Sequence, residues 1–274
     1  MSAVSGPLLL VGCGKMGGAL LEGWIARGVA PAAITVVEPA APLAEAAHAR
    51  HGVTVLAGAD AVDTALGPRV VVFAVKPQAM DDVAPAYRRF VAPETVFLSI
   101  AAGKTIGYFE RRLGAPAAMV RAMPNTPAAV GHGIAVLCAN ANVDGDQRAA
   151  CQALLAAVGE AVWVDDEALM DAVTAVSGSG PAYVFLLIEC LARAGVDAGL
   201  PADLAARLAC ATVHGAGVLA QLSDEPPATL RKNVTSPGGT TEAALAVLMG
   251  ENGLAPLLGR AVAAATKRSR ELAD

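Results

Sequence analysis

A short apolar run followed at once by three spaced glycines constrains this chain more than anything else in it. Leu8-Leu9-Leu10-Val11 has the length and unbroken apolar character of a strand buried on both faces. Gly12-Cys13-Gly14-Lys15-Met16-Gly17 follows directly, and Met16, Leu20, Trp24 and Arg27 then mark an amphipathic helix closed by Gly28. A G-x-G-x-x-G spacing carries meaning in this setting of strand, tight turn and helix. The glycines permit the turn, let the backbone approach a pyrophosphate, and allow the helix to pack closely on the strand. A second strand, Ile34–Val37, ends in Glu38, about 20 residues past the last glycine, where an acid meets a ribose hydroxyl. The expectation is a dinucleotide site formed by Gly12, Cys13, Gly14, Lys15, Met16, Gly17 and Glu38.

The alternation continues with strands at 53–56 and 70–75, a helix at 78–90, and a strand at 95–100. A helix at 106–113 and a strand at 118–123 follow. Repeated βα units imply a parallel sheet covered on both faces, an α/β doubly wound domain of Rossmann type spanning residues 1–160. Ligands of such sheets lie beyond the carboxyl ends of the strands. Three segments fall there: Ala74-Val75-Lys76-Pro77, Ser99-Ile100-Ala101-Ala102-Gly103 and Met123-Pro124-Asn125-Thr126-Pro127. Lys76 is suited to pair with a cofactor phosphate or ribose; its plain alternative is a solvated lysine. Asn125 is suited to hydrogen-bond a nicotinamide amide or the substrate. Its plain alternative is an Asx turn between two prolines.

After 161–164 the pattern changes to long runs of helical period at 167–176, 181–194, 203–222, 228–232, 241–249 and 255–272. A second, all-helical domain over residues 161–274 is expected. Ser177-Gly178-Ser179-Gly180-Pro181 reads as a joint between two of its helices, with Pro181 in the first turn of the later one. Its many Ala, Gly and Leu residues allow close helix packing, within a chain or between subunits. With 55% hydrophobic and only 16% charged residues, a good deal of apolar surface is left for a partner subunit.

The net charge of −5, with no basic run beyond pairs such as Arg88-Arg89, argues against a nucleic-acid surface. The most apolar stretch, 182–187, is followed by Glu189 and Arg193, short of the roughly 20 residues of a membrane span. The N-terminus lacks the pattern of a signal peptide. Cys13, Cys138, Cys151, Cys190 and Cys210 are odd in number and widely spaced, and the four histidines are scattered. They read as small buried hydrophobes in a reducing, cytoplasmic compartment, and no metal site is expected.

Ser236-Pro237-Gly238-Gly239-Thr240-Thr241-Glu242 leads into an apolar helix. A helix start offers unpaired N–H groups and a partial positive charge, which suit a carboxylate. Gly238 and Gly239 let the backbone come close to it. The plain alternative is an N-cap supplied by Ser236 or a threonine.

Together, G-x-G-x-M-G at 12–17, Ala74-Val75-Lys76-Pro77, Arg121-Ala122-Met123-Pro124-Asn125-Thr126-Pro127, Ser177-Gly178-Ser179-Gly180-Pro181-Ala182-Tyr183 and Val234-Thr235-Ser236-Pro237-Gly238-Gly239-Thr240-Thr241 resemble the pyrroline-5-carboxylate reductase family. The resemblance runs along nearly the whole chain, in the family's order and spacing. It implies reduction of the cyclic imine 1-pyrroline-5-carboxylate to L-proline with hydride from NADPH or NADH. It also implies a Rossmann domain joined to a helical dimerisation domain, a homodimer whose active site is completed across the dimer, and in some members a larger ring of dimers. By the same resemblance Ser236, Gly238, Gly239, Thr240 and Thr241 hold the substrate. Thr241 is then the catalytic hydroxyl near the imine nitrogen, Asn233 and Asp224 lie nearby, and Ala74, Val75, Lys76, Pro77, Ala101 and Asn125 line the cofactor.

Two positions depart from the family pattern. Many relatives end the second strand with basic or small hydroxyl residues that accept a 2′-phosphate; Glu38 here favours the 2′-OH of NADH. Relatives often carry Asn after the third strand, where this chain has Ala57-Gly58-Ala59. A β-hydroxyacid dehydrogenase shares the two-domain plan but needs a lysine on an interdomain helix. The lysines here are Lys15, Lys76, Lys104, Lys232 and Lys267, none of them on the helix after Pro181. A non-catalytic dinucleotide sensor has no use for the Thr240-Thr241 pair behind a glycine cradle.

Overall fold

The computed structural model describes residues 6–114 and 117–272. Its strands are β1 (Leu8–Val11), β2 (Ile34–Val37), β3 (Thr54–Leu56), β4 (Val70–Phe73), β5 (Val96–Ser99), β6 (Ala118–Met123), β7 (Gly133–Ala139) and β8 (Gly159–Trp163). They form one sheet in the order β3-β2-β1-β4-β5-β6-β7-β8. The chain therefore winds outward twice from β1, through β2 to β3 on one side and through β4 and β5 to β6 on the other. Alternate residues of each strand feed opposite cores. Leu8, Leu10, Val70 and Val72 pack with Leu20, Leu21 and Trp24 of helix α1 (Lys15–Ala26). Leu9, Val11, Val71 and Phe73 pack on the other face with Tyr87, Phe97 and Phe109. Each such large side chain contributes about 1.5–3 kcal/mol by leaving water, and the indole N–H of Trp24 finds the carbonyl of Leu154 at 2.9 Å.

The sheet is not wholly parallel, contrary to expectation. β7 runs antiparallel to β6, with Val120 opposite Ala139, and β8 is parallel to β7. The connection at 124–132 is too short for a parallel crossover, which needs a dozen or more residues, so the chain turns back beside β6. Helix Gly145–Ala156 then carries it to β8, opened by a capping box between Asp144 and Gln147.

The boundary expected near residue 160 falls inside β8. The compact units are Met1–Gly178 with Ala265–Asp274, and Ser179–Ala264. The change of pattern after residue 164 marks the end of the strands, not the end of the first unit. Arg121, buried on β6, pairs with Glu167 at 2.8 Å, and the same Glu167 oxygen accepts the N–H of Ile106 at 2.9 Å. The hydroxyl of Ser269 donates to Asp171 at 2.7 Å, drawing the C-terminal residues into this unit. Leu272 lies against Gly103, whose φ of +77° and lack of Cβ permit the approach.

The second unit contains the helices Gly180–Asp197, Ala202–Leu222, Pro227–Asn233 and Thr240–Leu248. The segment 177–181 is the joint it was read as: a π-helical turn, Thr174–Gly178, ends there, and helix Gly180–Asp197 begins after Ser179 with Pro181 in its first turn. Taken together, the 31 residues Glu167–Asp197 have the length of a membrane span and their most apolar window, with a mean hydropathy of 1.5, has its composition, which the charges at Glu189 and Arg193 had argued against. That window is only 6% buried. Within this unit Ala205 and Ala209 are the buried hydrophobics among the described residues, while Phe185, Leu186 and Leu219 are more than half exposed. Apolar surface on this scale marks a face that another surface covers.

Candidate active site

In the first unit the three loop glycines have separate duties. Gly12 follows β1 at a φ of +92°, and its N–H donates to Val37 at 2.8 Å, turning the chain sharply. A Cβ at Gly17 would fall on the carbonyl oxygen of Gly12, so only glycine lets α1 pack this near the strand. A Cβ at Gly14 would meet nothing within 4 Å. That open space lies at the start of α1, where the first amides have no acceptor within their own helix and the dipole is positive.

β1 and β4 are neighbours whose connections diverge, and the crevice at such a switch point is where α/β sheets take ligands. A cavity of about 520 Å³ opens there. Gly14, Lys15 and Met16 form one wall, Ala74 to Pro77 a second, Ile100 to Ala102 a third, and Met123 to Thr126 a fourth, with Gly178 at one edge. The expected cofactor residues Gly14, Lys15, Met16, Ala74, Val75, Lys76, Pro77, Ala101 and Asn125 are thus brought to one space, and Gly12, Cys13 and Gly17 support the loop from behind. Lys76 is exposed. A cradle with a glycine facing open space, free helix-start amides and a cavity at the strand ends fits a dinucleotide.

Two side chains have duties that spacing did not disclose. Glu38 is buried and its carboxylate is already engaged: one oxygen accepts the N–H of Cys13 at 2.8 Å, the other that of Ala40 at 2.9 Å. It ties the glycine loop to the end of β2, and each oxygen keeps a further lone pair for a ribose hydroxyl. Burial, reinforced by the Glu38 charge, pushes the Cys13 thiol up. Asn125 does not form the Asx turn given as its alternative. It leaves the turn Thr126–Val130 uncapped, and its Oδ1 accepts the N–H of Ile134 at 2.9 Å instead.

A cluster beyond Ala102 was not foreseen. The ammonium of buried Lys104 lies 4.4 Å from the centroid of the Tyr108 ring, and the Arg112 guanidinium lies 3.6 Å from it. The Tyr108 hydroxyl donates to Asp81 at 3.0 Å, and Arg112 pairs with the same carboxylate, holding it below its ordinary value. Burial, then the bond to Asp81, pushes the Tyr108 phenol up to about 12. These contacts fasten the chain just after the Ile100–Ala102 wall. Asp81 and Tyr108 lie on different elements, so sequence spacing held no signal for the pairing.

In the second unit, helix Thr240–Leu248 begins at Gly239 without any side-chain cap, so neither Ser236 nor a threonine plays that part. Gly238, at a φ of +70°, donates its N–H to the Glu242 carboxylate at 2.7 Å, and Gly239 donates to the Ser236 carbonyl at 3.0 Å. The two glycine amides are therefore used inside the loop, whereas the whole stretch from Ser236 to Thr241 had been expected to face a ligand. Among the described residues, the amides left without an acceptor at the helix start are those of Thr240, Thr241 and Glu242. Thr241 is half-buried; Ser236 and Thr240 are exposed. Asn233 donates to Glu225 at 3.0 Å, and Asp224 is exposed beside that carboxylate in sequence.

Comparison with known proteins bears on both units. A family model for pyrroline-5-carboxylate reductase dimerisation matches residues 167–272, and one for NADP oxidoreductase, coenzyme F420-dependent, matches residues 8–103. The pyrroline-5-carboxylate reductase of Pseudomonas aeruginosa is 44% identical over 268 residues, 97% of each chain. The solved structure of a pyrroline-5-carboxylate reductase from Coxiella burnetii superimposes with a TM-score of 0.91 at 36% identity, covering 99% of this chain and 100% of that one. That of Plasmodium falciparum pyrroline carboxylate reductase with NADP bound gives 0.83 at 30% identity over 98% of each. A nucleotide cradle followed by a helical dimerisation region, matched end to end at this identity, means that the chain belongs to the pyrroline-5-carboxylate reductase family.

Proposed function

We propose that this protein reduces 1-pyrroline-5-carboxylate to L-proline with hydride from NAD(P)H, the last step of proline biosynthesis. The observation that carries the reading is the open space at Gly14 above a cavity at the strand ends, in a chain that matches reductases of this family along its length. The nicotinamide supplies the hydride to the C=N carbon. Everything else falls to the protein. Gly12, Gly14 and Gly17 hold the start of α1 against the pyrophosphate, and Lys76 pairs with a phosphate or ribose. Glu38 holds the loop and leaves negative charge where a 2′-phosphate would lie, which favours NADH over NADPH.

The amides of Thr240 and Thr241, at the positive end of their helix, receive the ring carboxylate. Ser236, Gly238 and Gly239 give the loop its shape, with Asn233 and Asp224 at its border. The Thr241 hydroxyl oxygen accepts the N–H of the protonated imine, and its own O–H donates to nitrogen only as the amine lone pair forms. As hydride adds to carbon, the C=N electron pair moves to nitrogen and completes the amine. A hydroxyl is too weak an acid to protonate the imine outright, so Thr241 orients an imine that is already protonated.

The dimerisation region supports a homodimer. We place the exposed apolar face of Gly180–Asp197 against a second copy and not against lipid, with the active site completed across the dimer and a ring of dimers as the larger assembly. The five free cysteines fit a cytoplasmic location. The test is the initial rate of NADH and of NADPH oxidation with racemic pyrroline-5-carboxylate. Turnover supports the reductase, and the ratio of kcat/KM for the two cofactors reads Glu38. A folded protein that binds dinucleotide yet turns over neither would sink the proposal.

A further inference from the structure

We infer that Asn125 is the hydrogen-bond donor that fixes the carboxamide oxygen of the nicotinamide, with its sense set by Ile134. The inference rests on the cavity being the nicotinamide end of the dinucleotide site. Asn125 follows β6, lines that cavity and is only 9% exposed. An asparagine amide has nearly the same shape at both ends but opposite hydrogen-bonding sense. The backbone N–H of Ile134, at the start of β7, donates to it at 2.9 Å. A backbone N–H bonds only to an acceptor, so the end it meets is the oxygen, and the NH₂ group is the end left over.

Among the described residues no protein acceptor is paired with that NH₂, and the side chain is not spent on capping the turn that follows. That NH₂ is not among the buried polar atoms without a partner, so it opens on the cavity that Asn125 lines, where an acceptor brought by a ligand takes the place of water. Glu38 marks the ribose side, beyond β2; Asn125 lies beyond β6, on the opposite side of the switch point, where the nicotinamide falls. The substrate carboxylate is the other available acceptor, but the open amides of Thr240 and Thr241 are better suited to a full negative charge. Held by its carboxamide, the nicotinamide ring loses rotation about its glycosidic bond and offers one face.

Asn125→Asp separates the two ends of the amide. It keeps an oxygen for Ile134, so its melting temperature stays near that of the unaltered protein, and it replaces the donor by an acceptor. Binding of NADH should weaken on the order of tenfold to a hundredfold, while ADP-ribose, which lacks the nicotinamide, binds as before. Unchanged NADH affinity would overturn the inference, as would equal losses for both ligands or a rise confined to the KM for the imino acid. Failure of the unaltered protein to bind ADP-ribose would instead remove the dinucleotide site itself. A second measurement needs no variant: the reduced thionicotinamide analogue, whose sulfur is the poorer acceptor, should bind several-fold more weakly than NADH. Equal binding of the two also counts against the inference.

Discussion

The two units solve the problem of burial in opposite ways. The nucleotide unit encloses its own core: each residue of β1 and β4 is buried, and both faces of the sheet are covered by the chain's own helices. The helical unit buries Ala205 and Ala209 among its described hydrophobics and leaves Phe185, Leu186 and Leu219 bare. Its helices have the right period but an incomplete inside. The first unit is thus a core; the second is half of one, which the proposed dimer would complete.

The largest expected effect tests that asymmetry. Phe185→Asp on a true monomer surface would change stability by no more than about 0.5 kcal/mol. Within a subunit interface it should cost about 2 kcal/mol or more, release monomers in light scattering and abolish turnover. A variant that remains dimeric and active would break the comparison. Next comes a contrast within the nucleotide unit. Gly14→Val places its side chain in open space, so the melting temperature should hold while dinucleotide binding is lost in a fluorescence titration. Gly17→Ala drives a methyl into the Gly12 carbonyl and should lower stability by about 1–3 kcal/mol. Equal behaviour of the two variants would erase the distinction between a glycine kept for the ligand and one kept for packing.

Thr241→Ala sharpens the division of labour between units. It should lower kcat on the order of tenfold to a hundredfold while leaving cofactor affinity unaltered, and a steady-state analysis with independent titration separates the two. A change in cofactor affinity alone would move Thr241 out of the proposed role. The smallest effect is one of pH. Burial raises the thiols of Cys13, Cys138 and Cys151, all in the nucleotide unit, above their ordinary value of 9.0. The unfolded chain therefore releases these protons first. Their contribution is complete below the ordinary value and declines as pH rises toward the folded one. Melting temperatures should fall between about pH 8 and about pH 10, and Cys151→Ala should flatten the slope; an unchanged slope would show that other groups cause it.

Much of this was legible in the sequence because it depends on near neighbours. β1 to β6 are apolar runs bounded by glycine, proline or polar residues, and the helices of the second unit follow from their period. The three loop glycines declare themselves because the demand for a missing Cβ is local. β7 escaped because its direction is fixed by the shortness of the segment before it, not by its own residues. The double tether at Glu38, the pairing of Asn125 with Ile134 and the ion pair of Arg121 with Glu167 join positions that only the folded sheet brings together. The division near residue 160 was misplaced because loss of strand pattern and loss of contact with the first unit are different events, separated here by the residues from 164 to Gly178.

The polypeptide leaves the nucleotide unit after Gly178 and re-enters it at Ala265. Topologically the helical unit is a closed loop with two leashes, not a tail with one. The second leash is fastened by Ser269 on Asp171 and by Leu272 against Gly103. Gly103 is two positions from Ala101 in the wall of the cofactor cavity. The last turns of the chain, the residues farthest in sequence from the glycine loop, thus brace the segment that forms one wall of that cavity.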